Sequence, residues 1–245
     1  MSTQRLTILH PADFHARLTP EKAQHLREMK HAHAPCLLLD SGDALQSANV
    51  TLPLRNEHVI DLMNEAGYDA MCLGNREYFF RRSGLLRKTR AAEFIVLAAN
   101  LCPRRGDMGH IGQQKVFRVG EVRVGVFGLA REMISPSSMW ARFTDMVFLD
   151  PDEVAESVTA GLRQYSDVVV LLSHLGLEAD RRIAAKCDVD LILGGHDHVQ
   201  VTFDSERDDP PFVSHPGWGA DSGALIRLEV AENKVVSANS NVVDL

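Results

Sequence analysis

Seven residues able to bind a divalent cation stand just past the ends of short apolar runs. Asp13 and His15 follow Leu6–His10, and Asp43 closes the Asp40-Ser41-Gly42-Asp43 turn after Cys36–Leu39. Gly74-Asn75 follows Ala70–Leu73, His174 follows Asp167–Ser173, and Gly194-Gly195-His196-Asp197-His198 follows Asp190–Leu193. Asp and Asn offer oxygens, His offers a neutral imidazole nitrogen, and one carboxylate can bridge two ions. Two cations about 3.5–4 Å apart acidify a water between them and clamp both oxygens of an in-line displacement at phosphorus. Glycines beside Asp43, Asn75 and His196 let the backbone pass close to such a cluster. A lone Asp-x-His is chance-level, and a single strand-end His is ordinarily a satisfied polar residue. Only all the clusters together, in consistent order, point to a metal centre.

The elements that must position them alternate, strand with helix, which predicts a layered α/β architecture. Every cluster falls at a strand's carboxyl end, the edge where open α/β sheets place their ligands. Thr19 and Pro20 open a first helix, and a second runs through Val59, Leu62, Met63 and Ala66 to stop at Gly67. Phe94–Ala98 reads as a further strand, and Val116–Val119 with Val122–Leu129 as a hairpin about Gly120-Glu121. Asp150-Pro151-Asp152-Glu153 opens a helix to about Tyr165, and another lies near Glu178–Cys187. The tail reads as strands only: Val199–Phe203, Phe212–Ser214, Ala224–Val230 and Lys234–Val243. Pro103–Gln114 and Ser135–Ser138 are candidate mobile loops lining the site. No repeat or low-complexity linker interrupts residues 1–245, so a single domain is expected.

The 245 residues carry a formal net charge of -7, with 45% apolar and 24% charged residues. That balance fits a globular protein and argues against a nucleic-acid polymer as partner, while a nucleotide substrate stays open because bound cations invert the local sign. No apolar run approaches the roughly 20 residues that span a bilayer. Met1–Arg5 leads directly into strand-like sequence, so no signal peptide and no membrane association are expected. The four cysteines include no C-x-x-C pair, which predicts free thiols and a cytoplasmic setting.

The strings I-L-H-x-x-D-x-H, L-D-S-G-D, L-G-N-x-E, L-L-S-H-L-G and G-G-H-x-H resemble the calcineurin-like metallophosphoesterase superfamily. They are most similar to the catalytic domain of its 5'-nucleotidase/UDP-sugar hydrolase branch, over about residues 6–230. The resemblance implies a four-layer α-β-β-α sandwich with a dinuclear metal centre at the sheet edge. Asp13, His15 and His198 would hold one ion, Asn75, His174 and His196 the other, and Asp43 would bridge. Mn, Fe, Zn, Co and Ni all tolerate this donor set. Pro216–Gly223 resembles the turn before the family's last strands.

Two departures qualify the resemblance. The branch's G-N-H-E-F-D motif reads Gly74-Asn75-Arg76-Glu77-Tyr78-Phe79 here, so Arg76 replaces the catalytic His and Phe79 the Asp that orients it. Arg stays protonated and cannot act as a general acid, yet its fork of donors can stabilise phosphate charge. Substrates with stable leaving groups are therefore expected, unless another residue supplies the proton, His110 and His215 being candidates. The branch's base-stacking C-terminal domain is not expected, which leaves Trp140, Phe143 and Trp218 as candidates to stack a planar group.

Arg81-Arg82 and Arg87-Lys88 read as solvated helix faces, His25, His31 and His33 as solvent-facing, and Asp197 as turned away from the metals. The expected function is a metal-dependent phosphohydrolase on a small phosphorylated metabolite, such as a nucleotide or nucleotide-sugar. A phosphodiesterase with the same centre and a weakly active metal-binding regulatory domain are the alternatives.

Overall fold

The computed structural model describes residues 3–135, 137–206 and 208–245; Pro136, within the Ser135–Ser138 loop, lies outside the described residues. The first half runs β1 (Gln4–His10), α1 (Pro20–Ala32), β2 (Cys36–Asp40), α2 (His58–Ala66), β3 (Ala70–Cys72), α3 (Arg82–Thr89) and β4 (Ile95–Leu97). Next come β5 (Leu101–Pro103), β6 (Ile111–Gly112), β7 (Gln114–Val119), β8 (Val122–Leu129), a 3₁₀ turn Met139–Arg142 and β9 (Met146–Phe148). Then follow α4 (Pro151–Leu162), β10 (Val168–Ser173), α5 (Leu177–Ala184) and β11 (Leu191–Gly194). The chain closes with β12 (Gln200–Val201), β13 (Phe212–Pro216), β14 (Ser222–Ala231) and β15 (Lys234–Asp244).

The strands form a seven-stranded sheet, β15-β14-β1-β2-β3-β4-β6, a six-stranded sheet, β12-β13-β11-β10-β8-β7, and the ribbon β5-β9. The alternation of side chains along a strand sets what each face covers. Leu6 and Ile8 of β1 meet Val168, Val170 and Leu172 of β10 between the two sheets. Leu9 and Leu38 face the other way, onto Leu26 of α1 and Ile60 and Met63 of α2. Val169 and Leu171 likewise face Ala155 and Leu162 of α4 and Ile183 of α5. Both sheets are thus covered on both faces, which is why their strands read as continuous apolar runs. The expected α-β-β-α sandwich is the fold observed.

Local signals held where a specific group makes the turn. Thr19 accepts the Lys22 N–H, and Asp150 accepts those of Asp152 and Glu153, each ahead of a first-turn Pro. His25 and His31 are exposed on α1, and His33 is half-buried at its end. The helix expected near Glu178–Cys187 runs from Leu177 and ends at Ala184.

Other expectations are corrected. Lys88 is not solvated: it is 2% exposed, and its ammonium donates to the carbonyls of Ala48, Arg76 and Tyr78 at 3.2, 2.6 and 2.9 Å. Burial pushes that ammonium down to about 8. The Pro103–Gln114 segment carries β6 and is tied to α3, where the Arg82 guanidinium donates to the carbonyls of Arg105 and Asp107. No described helix is long and apolar enough to cross a membrane.

Candidate metal centre

Strands β1, β2 and β3 run parallel in one sheet, and β8, β10 and β11 in the other, so each sheet delivers its loops at one edge. The edges meet where His174, after β10, donates Nδ1–H to the Ser41 carbonyl after β2, at 2.7 Å. That bond fixes the His174 tautomer and aims its Nε2 at the cluster. Asp13, His15 and His198 offer donor atoms within 4.8 Å of one another, as do Asp13, Asp43 and His174.

Each carboxylate divides its oxygens. Asp13 Oδ2 accepts the His196 N–H at 2.9 Å, while buried Oδ1 has no hydrogen-bond partner and lies 3.8 Å from His15 Nε2 and 3.7 Å from His198 Nε2. Asp43 Oδ2 is 3.5 Å from His15 Nε2, and its Oδ1 is 3.4 Å from His174 Nε2. Asn75 donates Nδ2–H to Asn49 Oδ1 at 3.0 Å, which turns its own Oδ1 to within 3.2 Å of both His174 Nε2 and His196 Nδ1. All seven sequence-predicted ligands therefore converge. Buried Asp13 Oδ1 and His15 Nε2 are left without partners, an arrangement that a cation satisfies.

The backbone is forced to make this possible. Asp13, His15, Asp43, His196 and His198 all have positive φ, from 48° to 78°. Non-glycine residues held there cost of order 1–3 kcal/mol each and persist only when the surroundings over-determine them. Here the β1 and β2 loops are zipped together, Asp13 N–H to Gly42, His15 N–H to Asp43 and Ala16 N–H to Ala44, at 3.1, 3.0 and 2.9 Å. A Cβ on Gly74 would overlap the Asp43 amide nitrogen, so this close approach requires glycine.

Electrostatics point the same way. The Asp13 and Asp43 carboxylates raise the His15 pKa. Burial disfavours charge on His174, but Asp43, Asp13 and Glu77 outweigh it and lift that imidazole to about 9. Burial pushes Asp43 up, yet its contacts with His15 and His174 hold it far below the usual carboxylate range. His196 is lowered by burial, then by the nearby His174 and Arg131 charges. The carboxylates that draw protons onto His15 and His174 favour a cation among the same atoms.

A buried polar layer, unseen in the sequence, supports the ligands. Glu77 accepts N–H groups of Asp43, Leu45 and Gly74, and Glu57 accepts those of Gln46 and Ser47. On the other side, His215 Nε2 pairs with Asp180 Oδ2 at 2.8 Å, and Ser173 donates to the second Asp180 oxygen. His10 Nε2 meets Ser41 Oγ at 3.0 Å, and burial together with His215 pushes His10 down to about 3. The strand-end His10 and the helical Asp180 look unremarkable alone; only the packing of β1, α5 and β13 assembles them.

The remaining predicted site residues separate. Arg76 lies at the centre: its amide donates to Asp43 Oδ1 at 2.7 Å, and its guanidinium to the Leu45 and Gln46 carbonyls at 3.4 and 3.3 Å. Trp218 stacks on the His198 ring, with centroids 5.2 Å apart and planes 12° apart. Asp197 turns outward, accepting the Leu177 N–H at 2.8 Å, as expected.

His215 is not a loop residue approaching substrate; it is 1% exposed on β13 and committed to Asp180. His110 precedes β6, which runs parallel to β4, so it sits at the amino edge, away from the ligands, paired with Thr89 Oγ1 at 2.8 Å. Trp140 is exposed on the 3₁₀ turn beside Phe80 and Phe143 rather than against a ligand.

Phe79 packs over Gly84 of α3, whose added Cβ would overlap its ring. Gly84→Ala is expected to displace Phe79 and destabilise by about 1–3 kcal/mol, offset by up to about 1 kcal/mol of helix propensity. Denaturant unfolding of Phe79→Ala, Gly84→Ala and the double variant checks this. Additive losses in the double variant would mean the two positions are not coupled.

A family model described as calcineurin-like phosphoesterase matches residues 6–200. The snake venom 5'-nucleotidase of Gloydius brevicauda is 31% identical over 218 residues, which cover 78% of this chain and 36% of that protein. The crystal structure of a 5'-nucleotidase precursor from Thermus thermophilus superposes with a TM-score of 0.80 at 24% identity, over 99% of this chain and 55% of that one. The calcineurin-like phosphoesterase YfkN from Bacillus subtilis gives 0.79 at 20%, over 99% and 91%. The chain thus spans little more than a third of the venom enzyme's length. With the family model matched across all the strand-end ligand clusters, the chain belongs to the calcineurin-like phosphoesterase family.

Proposed function

We propose that this chain is a two-metal phosphohydrolase acting on a small phosphorylated metabolite of the nucleotide or nucleotide-sugar kind. The observation that carries the reading is the division of Asp43: one oxygen faces His15 and the other His174, as a bridging ligand requires. Asp13, His15 and His198 hold one divalent ion on this reading, and Asn75, His174 and His196 the other. Such a pair supplies an acidified water and neutralises phosphate charge. The family match and its 5'-nucleotidase relatives support hydrolysis of phosphate esters as the chemistry.

The chain's own contribution falls to Arg76. The hydrogen bond from its amide to Asp43 fixes its place beside the bridging carboxylate, and its guanidinium offers donors to developing charge on phosphoryl oxygens. A guanidinium delivers no proton to a leaving group. Neither histidine candidate stands in for it, since His215 is committed to Asp180 and His110 lies at the far edge. Phosphoanhydrides and aryl esters are therefore expected to turn over faster than alkyl monophosphates by roughly 10²-fold or more, the usual value of general acid catalysis.

Metal analysis of protein purified without chelator, paired with a substrate panel, tests this reading. Two ions per chain and the anhydride or aryl preference are expected. Fastest turnover of alkyl monophosphates would sink the leaving-group argument. A fully loaded chain inert across the panel would favour a metal-binding regulatory domain instead. Arg76→Ala is expected to lower kcat about 10²–10³-fold with metal content unchanged.

A further inference from the structure

Two arginines that the ligand motifs do not include stand one contact away from the metal ligands, on opposite flanks. Arg17 follows the Asp13–His15 loop and is exposed, with its guanidinium carbon 4.2 Å from the centroid of the Trp218 ring. That indole is itself stacked on His198 and lies 6.1 Å from His15, so it acts as a pedestal holding a cation beside two ligands. Engaged by Arg17 and His198, Trp218 is less a platform for a base than a support for a charge. Arg131 follows β8, and its guanidinium donates to the carbonyl of Leu175, the residue after ligand His174, at 3.3 Å.

Neither arginine has a carboxylate within ion-pair distance among the described residues, although the chain holds 33 acidic residues against 26 basic ones. Arg163 and Arg182, by contrast, are each paired with aspartates. Asp221, whose carboxyl feels the Arg17 charge, is itself paired with Lys22, and Asp197 accepts the Leu177 amide. With Arg76 they place three guanidinium groups around the ligand cluster, none within ion-pair distance of a carboxylate among the described residues. A single scissile phosphoryl group already meets the proposed metals and Arg76, which leaves Arg17 and Arg131 free for further anionic groups.

We propose that Arg17 and Arg131 are specificity-determining residues that bind substrate phosphoryl groups beyond the scissile one. On that basis the preferred substrate class carries at least two adjacent phosphoryl groups. The inference rests on the phosphohydrolase reading for the position of the scissile group. The Arg17–Trp218 contact also supplies a reporter, because an anion that engages Arg17 disturbs the indole.

The test measures binding to metal-loaded protein, freed of excess metal, in a Trp140→Phe background where Trp218 is the remaining tryptophan. Two non-hydrolysable probes are titrated by fluorescence and calorimetry: α,β-methylene-ADP, and the adenosine 5'-phosphonate that bears one phosphoryl-like group. Tighter binding of the first by about 10-fold or more is expected, the worth of one or two charge-assisted contacts. In Arg17→Ala/Arg131→Ala that preference should fall to within twofold of unity, with metal content unchanged, and the single variants show which flank dominates. Equal affinity for the two probes in the parent protein, or an undiminished preference in the double variant, overturns the proposal. In either case binding of the single-phosphonate probe leaves the phosphohydrolase reading standing. Failure of both probes to bind the loaded parent protein counts against both readings.

Discussion

Asp43→Ala is expected to lose both ions of the proposed centre and to lower turnover of an aryl phosphate at least about 10³-fold, or roughly 4 kcal/mol. Asp43 places one oxygen near His15 and the other near His174, so its loss weakens both donor groups at once. His198→Ala removes a donor from one group only and is expected to cost less in both metal content and rate. The chain should stay folded, because the main bond forfeited is the Arg76 N–H to Asp43 Oδ1, worth about 1 kcal/mol against a total of about 5–15. Asp43→Asn separates the two roles, keeping an acceptor for that amide while removing the charge. Elemental analysis, far-UV circular dichroism and hydrolysis assays together read the outcome. Wild-type metal content in folded Asp43→Ala would remove Asp43 from the bridging position.

Glu77→Ala is the substitution expected to damage the fold most. Its fully buried carboxylate accepts the N–H groups of Asp43, Leu45 and Gly74 at 3.0, 3.2 and 2.8 Å. Alanine leaves three buried donors unpaired, each costing about 1–3 kcal/mol, so a loss of about 3–9 kcal/mol is expected. That is a large share of a typical domain's stability. Glu77→Gln keeps one acceptor oxygen but turns an NH₂ group toward other donors, so an intermediate loss is expected. Denaturant melts of chelator-treated protein isolate this effect from metal binding. A midpoint shift equivalent to less than about 1 kcal/mol for Glu77→Ala would mean that these amides find other partners.

The legible part of the molecule was what short stretches of chain specify by themselves. Thr19 and Asp150 announced their helices because a side-chain oxygen there reaches an amide two or three residues on. Strands such as β10 were legible because burial on both faces demands an unbroken apolar run. The ribbon β5-β9 was not, since its partners Leu101–Pro103 and Met146–Phe148 are short and far apart in the chain. Lys88 departs from its local pattern for a related reason. A charged residue on a short helix is ordinarily solvated, and only the loops at Ala48 and at Arg76–Tyr78 close over it.

For the centre itself, the sequence by itself determined which residues are available and the edge at which they emerge. Ligand chemistry restricts the residue types, and strand ends restrict the places. Tertiary structure alone decided how the oxygens are shared. The His196 amide meets Asp13 across 183 positions, and the His174 ring meets the Ser41 carbonyl across 133. Contacts at such separations follow from how two sheets pack face to face with their loop-bearing edges together, and no local pattern encodes them. The same packing took His215 into the buried layer with Asp180, left His110 at the opposite edge, and placed Arg17 over Trp218 beside the ligands.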